Sequence, residues 1–376
     1  MKKDLHIISL NVPYPPDYGG MIDTYYRIRS LHNLGVRIHL HCFEYGSQHS
    51  KNLESLCETI SYYPRKSVLL RQFSTIPYIV SSRKSKKLLN SLIRNDYPIL
   101  FDGLHTTFYI NHPAFANRKK LVRLHNIEHK YYHTLADNEP NLLKKIYYLL
   151  ESAKLKSYEK VLGMADSILS ISDSDQEYFN SEYHNSVFLA PFHPFNKWKN
   201  IPVTGEYVIY HGDLSVNENS AISDSLISNV FSKIPYKCVI AGKDPPEFIK
   251  SHASRYKNIM VVSNPGNDQI TNLIVNAQIN LLPALSANGF KLKLLIALYA
   301  GRHCLVNSAV AENTSIMNLC SVADSNAEIV NSVHLLMKER FTDEMILERQ
   351  RVLSEKFYNG NNAGKLIGLI FRDSSK

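Results

Sequence analysis

The residues best suited to chemistry are gathered in "RLHNIEHKYYH", residues 123–133, which holds His125, Asn126, Glu128, His129 and His133. The spacing His125-x-x-Glu128-His129 matches an inverted zinc-protease pattern, in which two histidines one turn apart bind zinc and the glutamate acts as base. That pattern needs all its members on one helix, whereas "KKLVRL" carries the chain into His125 as a strand, and no third carboxylate ligand stands in a helical context downstream. Two other readings stay open. The cluster is either a loop lining a cleft, where histidine hydrogen-bonds a sugar or phosphate oxygen, or a group of structural caps. Asp102, Gly103 and His105 in "FDGLHTT" also follow a strand-like run and join the same candidate cleft.

A second kind of chemistry is anion binding. "LPALSANGFKLKLLIALYAGRH" puts Gly289, Lys291 and Lys293 at the start of an apolar helix. Lysines oppose the dipole at that end, so two of them suggest a nearby anion such as a nucleotide diphosphate, the plain alternative being solvated side chains. Lys243 follows the strand-like "KCVIAG", and "YHGDLSVNEN" reads as a strand, a loop at Gly212 and a helix start with Ser215, Asn217 and Asn219 as caps. Near the beginning, "LHIISL" is a short apolar strand, and Tyr25, Ile28, Leu31 and Leu34 recur at helical spacing before Gly35. Between them Gly19 and Gly20 either let the backbone approach a ligand or simply shape the turn.

The elements that must position these residues alternate. Strand-like runs "VRIHLHCF", "PILFDGLH", "KKLVRLHN", "DSILSIS" and "SVFLAP" are followed after residue 206 by "YVIYHGDL", "YKCVIAGK", "NIMVVS", "INLLPAL" and "HCLVNS", with helical patterns between. This predicts an α/β chain with two doubly wound parallel-sheet domains, and ligands at the carboxyl ends of the strands in the crevice between them. The expected division is 1–195, a linker over 196–206 within the stretch 190–206 that holds three prolines and the only tryptophan, 207–341, and helices over 342–376 packing back on the first domain.

Composition narrows the class. A chain of 376 residues with 44% hydrophobic and 20% charged residues is ordinary for a globular protein, and no run is long and apolar enough for a membrane span. "MKK" lacks the uninterrupted apolar stretch and cleavage site of a signal peptide, so a cytoplasmic location is expected. Five cysteines without Cys-x-x-Cys spacing read as reduced core residues. The net charge of +9 is concentrated in part over Arg65–Arg94, with eight basic residues and no acidic one, which fits either a solvated helical face or an anionic inner leaflet. No nucleic-acid-binding module is recognisable.

"PYPPDYGG", "LHNIEH", "GDLSVNEN" and "GFKLKLLIALYAGRHCLVN", in this order and spacing, resemble the retaining GT-B glycosyltransferases of the group 1, family 4-like type, in a divergent bacterial polysaccharide branch. The resemblance spans essentially the whole chain and implies a GT-B fold, two Rossmann-like domains facing across a cleft. It implies transfer of a sugar from a nucleotide-diphosphate donor to a glycan or lipid-linked oligosaccharide, with retention of configuration and no bound metal or other cofactor. His125 and Asn288 would then be the catalytic positions, with Gly19, Gly20, Gly212, Lys243, Gly289, Lys291 and Lys293 on the donor and His105, Asn126 and Glu128 in the cleft. The chain departs from that family's E-x7-E signature, since Asn288 and Ile296 occupy the two acidic positions. Asp213 and Glu218 stand where the family carries an arginine and a lysine on the diphosphate, so Lys243, Lys291 and Lys293 are the expected replacement charges. A catalytically degenerate binding subunit, a nucleotide-sugar epimerase and the zinc hydrolase are the alternatives.

Overall fold

The computed structural model describes residues 2–44, 50–66, 74–195, 198–285, 289–311 and 316–372. They form two compact units: Met1–Phe192 with Asn288–Phe290 and Phe357–Lys376, and His193–Ala287 with Lys291–Lys356. Each unit is built on one parallel sheet.

In the first unit the strands are β1 (Lys3–Ser9), β2 (Val36–Glu44), β3 (Thr59–Pro64), β4 (Ile99–Asp102), β5 (Lys120–Leu124), β6 (Ser167–Ser170) and β7 (Ser186–Phe188), in the order β3-β2-β1-β4-β5-β6-β7. The central strands β1, β4, β5 and β6 are buried on both faces, which is why their runs are largely apolar. Adjacent residues go to opposite sides. Phe101, Val122 and Ile168 pack with Val80, Leu88, Phe115, Leu155 and Phe179, whereas Leu100, Leu121 and Leu169 pack with Ile28 and Leu31 of the helix Gly19–Asn33.

The second unit contains β8 (Val208–Asp213), β9 (Cys238–Lys243), β10 (Ile259–Ser263), β11 (Ile279–Leu281), β12 (His303–Val306) and β13 (Ser321–Val322), ordered β10-β9-β8-β11-β12-β13. Strand order reverses beside β1 in one sheet and beside β8 in the other, and the crevice at such a point is where open parallel sheets hold ligands. The carboxyl ends of β1 and β4, and of β8 and β11, are therefore where a site belongs.

Two strands escape the sequence reading. β3 is a half-exposed edge strand ending in Pro64, and β13 is only two residues long, so neither presents an apolar run. The tail also divides. The helix Asn359–Phe371 buries Ala363, Leu366 and Ile370 against the first sheet, while Asp343–Lys356 stays in the second unit, where Arg349 donates to the carbonyls of Gly301 and Arg302. Asn196 and Lys197 of the expected linker lie outside the described residues, but Trp198 stacks on Tyr299 at 4.3 Å within the second unit.

β8 and β9 run so close that a Cβ on Gly242 would stand 1.8 Å from the Gly212 carbonyl oxygen. Backbone cannot yield as a flexible side chain can. Gly242→Ala is expected to destabilise the second unit by ~3 kcal/mol or more, read as a lower urea midpoint, and an unchanged midpoint would contradict this packing.

Candidate functional site

In the first unit, the carboxyl ends of β1, β4 and β5 surround a buried set of charges. Asp23 and Arg27, one turn apart on the helix Gly19–Asn33, are joined at 2.7 Å, and Arg27 lies 2.8 Å from Asp102 at the end of β4. Arg123 of β5 grips Asp23 with two guanidinium nitrogens, at 3.1 and 2.9 Å. Thr24 donates to Asp102, and the Phe192 amide donates to Asp23 at 2.8 Å. Burial pushes the Asp23 pKa up, but the Arg123 and Arg27 charges and the His125 hydrogen bond overcome it and hold the carboxyl well below its usual range. Two carboxylates thus balance two guanidiniums in a place that water does not reach.

His125, the first residue after β5, uses Nε2 against Asp23 Oδ2 at 3.1 Å. An ionised carboxylate only accepts, so the His125 Nε2–H is the donor to Asp23. His129 turns elsewhere, pairing its Nδ1 with Glu159 at 3.0 Å. The helix begins at Glu128, so His125 lies outside it and the two histidines serve different carboxylates. The zinc-hydrolase spacing therefore does not become a shared ligand set, and among the described residues no group of three His, Cys, Asp or Glu side chains converges for a metal.

Glu128 and His105 do come together, with Oε1 and Nδ1 4.0 Å apart. Burial pushes the Glu128 carboxyl up to about 8, against the pull of the Arg83 charge. Burial, with the charges of Arg83, Arg65 and His125, drives the His105 pKa well down. Both groups are neutral near pH 7. Gly103, at φ +78°, leaves room for His105, since a Cβ there would stand 2.9 Å from its Nδ1. Gly289, at φ +63°, belongs with the first unit and fits the same loop: its Cβ would meet Asn126 Oδ1 at 2.4 Å and the His125 carbonyl at 2.9 Å. Around Gly19 a Cβ would meet nothing within 4 Å, and around Gly20 only Tyr18 at 3.7 Å, so packing does not demand either glycine. Asn288 lies outside the described residues.

In the second unit, Lys291 stands at the N-cap position, without a side-chain bond, and Lys293 lies in the first turn of the helix Leu292–Ala300. Lys293 Nζ lies 4.9 Å over the Tyr210 ring and 3.4 Å from Asn219 Oδ1. Burial and the neighbouring Lys291 charge lower its pKa to about 8, with Glu218 opposing. Burial lowers Lys291 too, again against Glu218. Asn219 does not cap its helix; it bridges the Asp213 carbonyl and the Tyr210 hydroxyl, and Val216 is the N-cap, without a side-chain bond. Ser215 and Asn217 do not cap it either. Gly212 lies beside Asn219, whose amide a Cβ there would meet at an ordinary contact distance of 3.4 Å. The two unexpected acids are engaged: Asp213 accepts from the Ser215 amide and hydroxyl, and Glu218 accepts the Leu285 amide at 3.0 Å. Lys243 ends β9 in register with Asp213.

Sequence reasoning missed Asp23, Arg27 and Arg123. Their signal was present in principle, because an arginine inside the apolar run "KLVRL" requires a buried partner. Within the basic stretch Arg65–Arg94, Lys84, Lys86 and Lys87 are exposed. Arg83 is buried, donating to the carbonyls of Leu10 and Ile79, and Arg71 lies outside the described residues.

Arg123→Met leaves Asp23 undercompensated, and an equilibrium unfolding curve is expected to show a loss of about 3–5 kcal/mol; a loss below about 1 kcal/mol would contradict the network. Glu128, with an ordinary value of 4.5 raised to about 8 by burial, keeps its proton when folded and loses it when unfolded, so its contribution fades as pH rises through that window. The melting temperature of Glu128→Gln relative to the unaltered protein should therefore climb between about pH 5 and pH 8, and a constant difference would show Glu128 ionised in the folded state.

No family model matches the chain. Over 348 residues it is 23% identical to a 44.6 kDa protein in the cps region of Klebsiella pneumoniae, itself uncharacterized, covering 88% of this chain and 89% of that one. Among solved structures it is similar to TarM (TM-score 0.69, 10% identity, 99% of both chains). WaaG, a glycosyltransferase involved in lipopolysaccharide biosynthesis, matches with TM-score 0.67 and 12% identity over 98% of this chain and 100% of its own. HepE of Anabaena, solved in complex with UDP and glucose, matches with TM-score 0.66 and 12% identity over 97% and 98%. The two parallel sheets and their order are those of the GT-B fold.

Proposed function

We propose that this protein is a glycosyltransferase that moves a sugar from a nucleotide-diphosphate donor to a glycan or lipid-linked oligosaccharide acceptor. The observation that carries the proposal is the pairing of Lys291 and Lys293 at the start of an apolar helix, beside the carboxyl end of β8 where strand order reverses. Cations with lowered pKa at a helix entrance are ready partners for a leaving diphosphate, and stabilising that charge is the largest contribution such a site can make. The fold it shares with a lipopolysaccharide glycosyltransferase and with a protein solved with UDP and glucose supports the same reading, as does the cps region of its relative.

On this reading the acceptor oxygen bonds to the anomeric carbon as the bond to the diphosphate oxygen breaks, and a donor phosphate oxygen takes the acceptor proton. Lys291, Lys293 and Lys243 offset the diphosphate charge. His125, oriented by Asp23, contacts the donor sugar, with Asn288, and the Gly19–Gly20 backbone borders the diphosphate. By the resemblance Gly212 of the second unit and Gly289 of the first belong with the donor-binding residues, and His105, Asn126 and Glu128 gather within the first unit after β4 and β5. Retention of configuration, membership of the group 1 type, a cytoplasmic setting at the inner membrane face and the absence of a metal requirement follow from the resemblance and belong to the proposal. One observation favours a second reading, a catalytically silent binding subunit: Ile296 stands where the resemblance places an acid for the ribose, and it offers no hydrogen bond.

Calorimetry against UDP, GDP, ADP and CMP tests the site. One nucleotide diphosphate should bind, with Lys291→Ala and Lys293→Ala each weakening it about tenfold or more, the scale of a charge-assisted hydrogen bond. Because Glu218 faces both lysines, Glu218→Gln should strengthen that binding by about threefold or more. Affinity unchanged from the unaltered protein in both lysine variants would remove the assignment, and no binding by any nucleotide would favour the silent subunit.

A further inference from the structure

The far end of the first sheet carries a second gathering of charge. Where β5 and β6 begin, residues 116–120 and 164–166 line a cavity of about 370 Å³, within the range of small-molecule sites. Its walls are held from behind. Arg118 donates through Nε to the Tyr97 carbonyl at 3.0 Å and through Nη1 to the Leu92 carbonyl at 2.6 Å, and its guanidinium lies 5.0 Å over the Phe115 ring. Asp166 accepts the Lys120 amide at 2.7 Å, donates its own amide to the Lys120 carbonyl at 2.8 Å and holds Oδ1 3.9 Å from Lys119 Nζ. Asn185 donates to the Ala165 carbonyl at 2.7 Å.

The charge balance of this cavity favours an anion. Three consecutive cations, Arg118, Lys119 and Lys120, share one carboxylate among the lining residues, and that carboxylate gives Oδ2 to the wall itself. Lys120 is only 9% exposed, yet among the described residues its ammonium has neither an acid partner nor a place sealed from water. A lysine buried to that depth ordinarily meets a carboxylate, whereas this one lines the cavity. Arg118 is spent on carbonyls, so the lysines are the charges turned to a ligand. Compact ammonium groups suit phosphate, and two of them match the charge of nearly −2 that a phosphomonoester carries at pH 7. We propose that the cavity binds a small phosphomonoester, its phosphate at Lys119 and Lys120 and its uncharged body against Ala116, Ala165 and Met164. The site is distinct from the donor chemistry and does not rest on it, because it lies at the amino end of β5 while His125 follows the carboxyl end, about 16 Å along the strand.

The test is calorimetry of the full chain with phenyl phosphate, with benzoate as the singly charged control and benzyl alcohol as the neutral one. Phenyl phosphate should bind saturably, benzoate at least about tenfold more weakly and benzyl alcohol not at all. Lys119→Gln and Lys120→Gln should each weaken phenyl phosphate about tenfold, the scale of one charge-assisted hydrogen bond. Thermal melts accompany both variants, and Lys119, the less buried of the two, keeps the test readable if Lys120→Gln lowers the melting temperature. The same titration in Lys291→Ala/Lys293→Ala removes the candidate donor site from the reading and should return the affinity of the unaltered protein. Three results would overturn the proposal: no saturable binding below about 10 mM, benzoate binding as tightly as phenyl phosphate, or an affinity that both glutamines leave unchanged, whether or not the double alanine abolishes it. Nucleotide titrations report separately on the donor site, so failure of one reading does not disguise failure of the other.

Discussion

The buried charges at the top of the first sheet constrain most of what surrounds them. Asp23 receives Arg27, Arg123, His125 and the Phe192 amide, and Arg123 in turn donates to the carbonyls of Leu189 and Ala190. One carboxylate thus ties the first helix, β5, the candidate catalytic histidine and the chain leaving β7. Burying such charges costs several kcal/mol each, so the arrangement is tolerable only when every partner is in place. That requirement orients His125 and aligns the helix whose entrance carries Gly19 and Gly20. A site that needs a histidine nitrogen held in one direction obtains it from the same bonds that hold the sheet ends together.

The second unit solves a different electrostatic problem. Lys291 and Lys293 crowd each other at a helix entrance that already disfavours cations. Tyr210, Asn219 and Glu218 relieve the strain of that placement, through a ring face, an amide oxygen and a carboxylate. Asp213 is turned onto Ser215. Acids at the positions of Asp213 and Glu218 oppose a diphosphate on sequence grounds, but in the folded chain Asp213 serves its own turn and Glu218, in the helix Asn217–Asn229, accepts from the Leu285 amide. The charge balance there depends on a few side chains, which makes it adjustable by single substitutions.

Much was legible in the sequence, for local reasons. Parallel strands buried on both faces need continuous apolar runs, and helices need a 3.6-residue period, so alternation, the two-sheet architecture and the helix starting near Lys291 and Lys293 follow from short windows. β3 was lost because it is half-exposed and mixed in character, and β13 because two residues make no run. The buried network was lost because its members are far apart: Arg123 and Asp23 are 100 positions apart, and neither window shows the other. The histidine motif misled for the converse reason, since regular spacing says nothing about whether a helix has begun by the first histidine.

The sequence by itself determined the period and order of the elements, and so the fold, because hydrophobic patterning acts within a few residues. Only the tertiary structure decided which polar groups meet: that His125 faces Asp23 while His129 faces Glu159, that Arg83 is spent on backbone carbonyls, and that the leucines of Leu142–Tyr158 remain outside. A side chain's partner and its solvent exposure are properties of the surrounding fold, since desolvation and Coulomb energies depend on what lies within a few ångströms in space rather than along the chain.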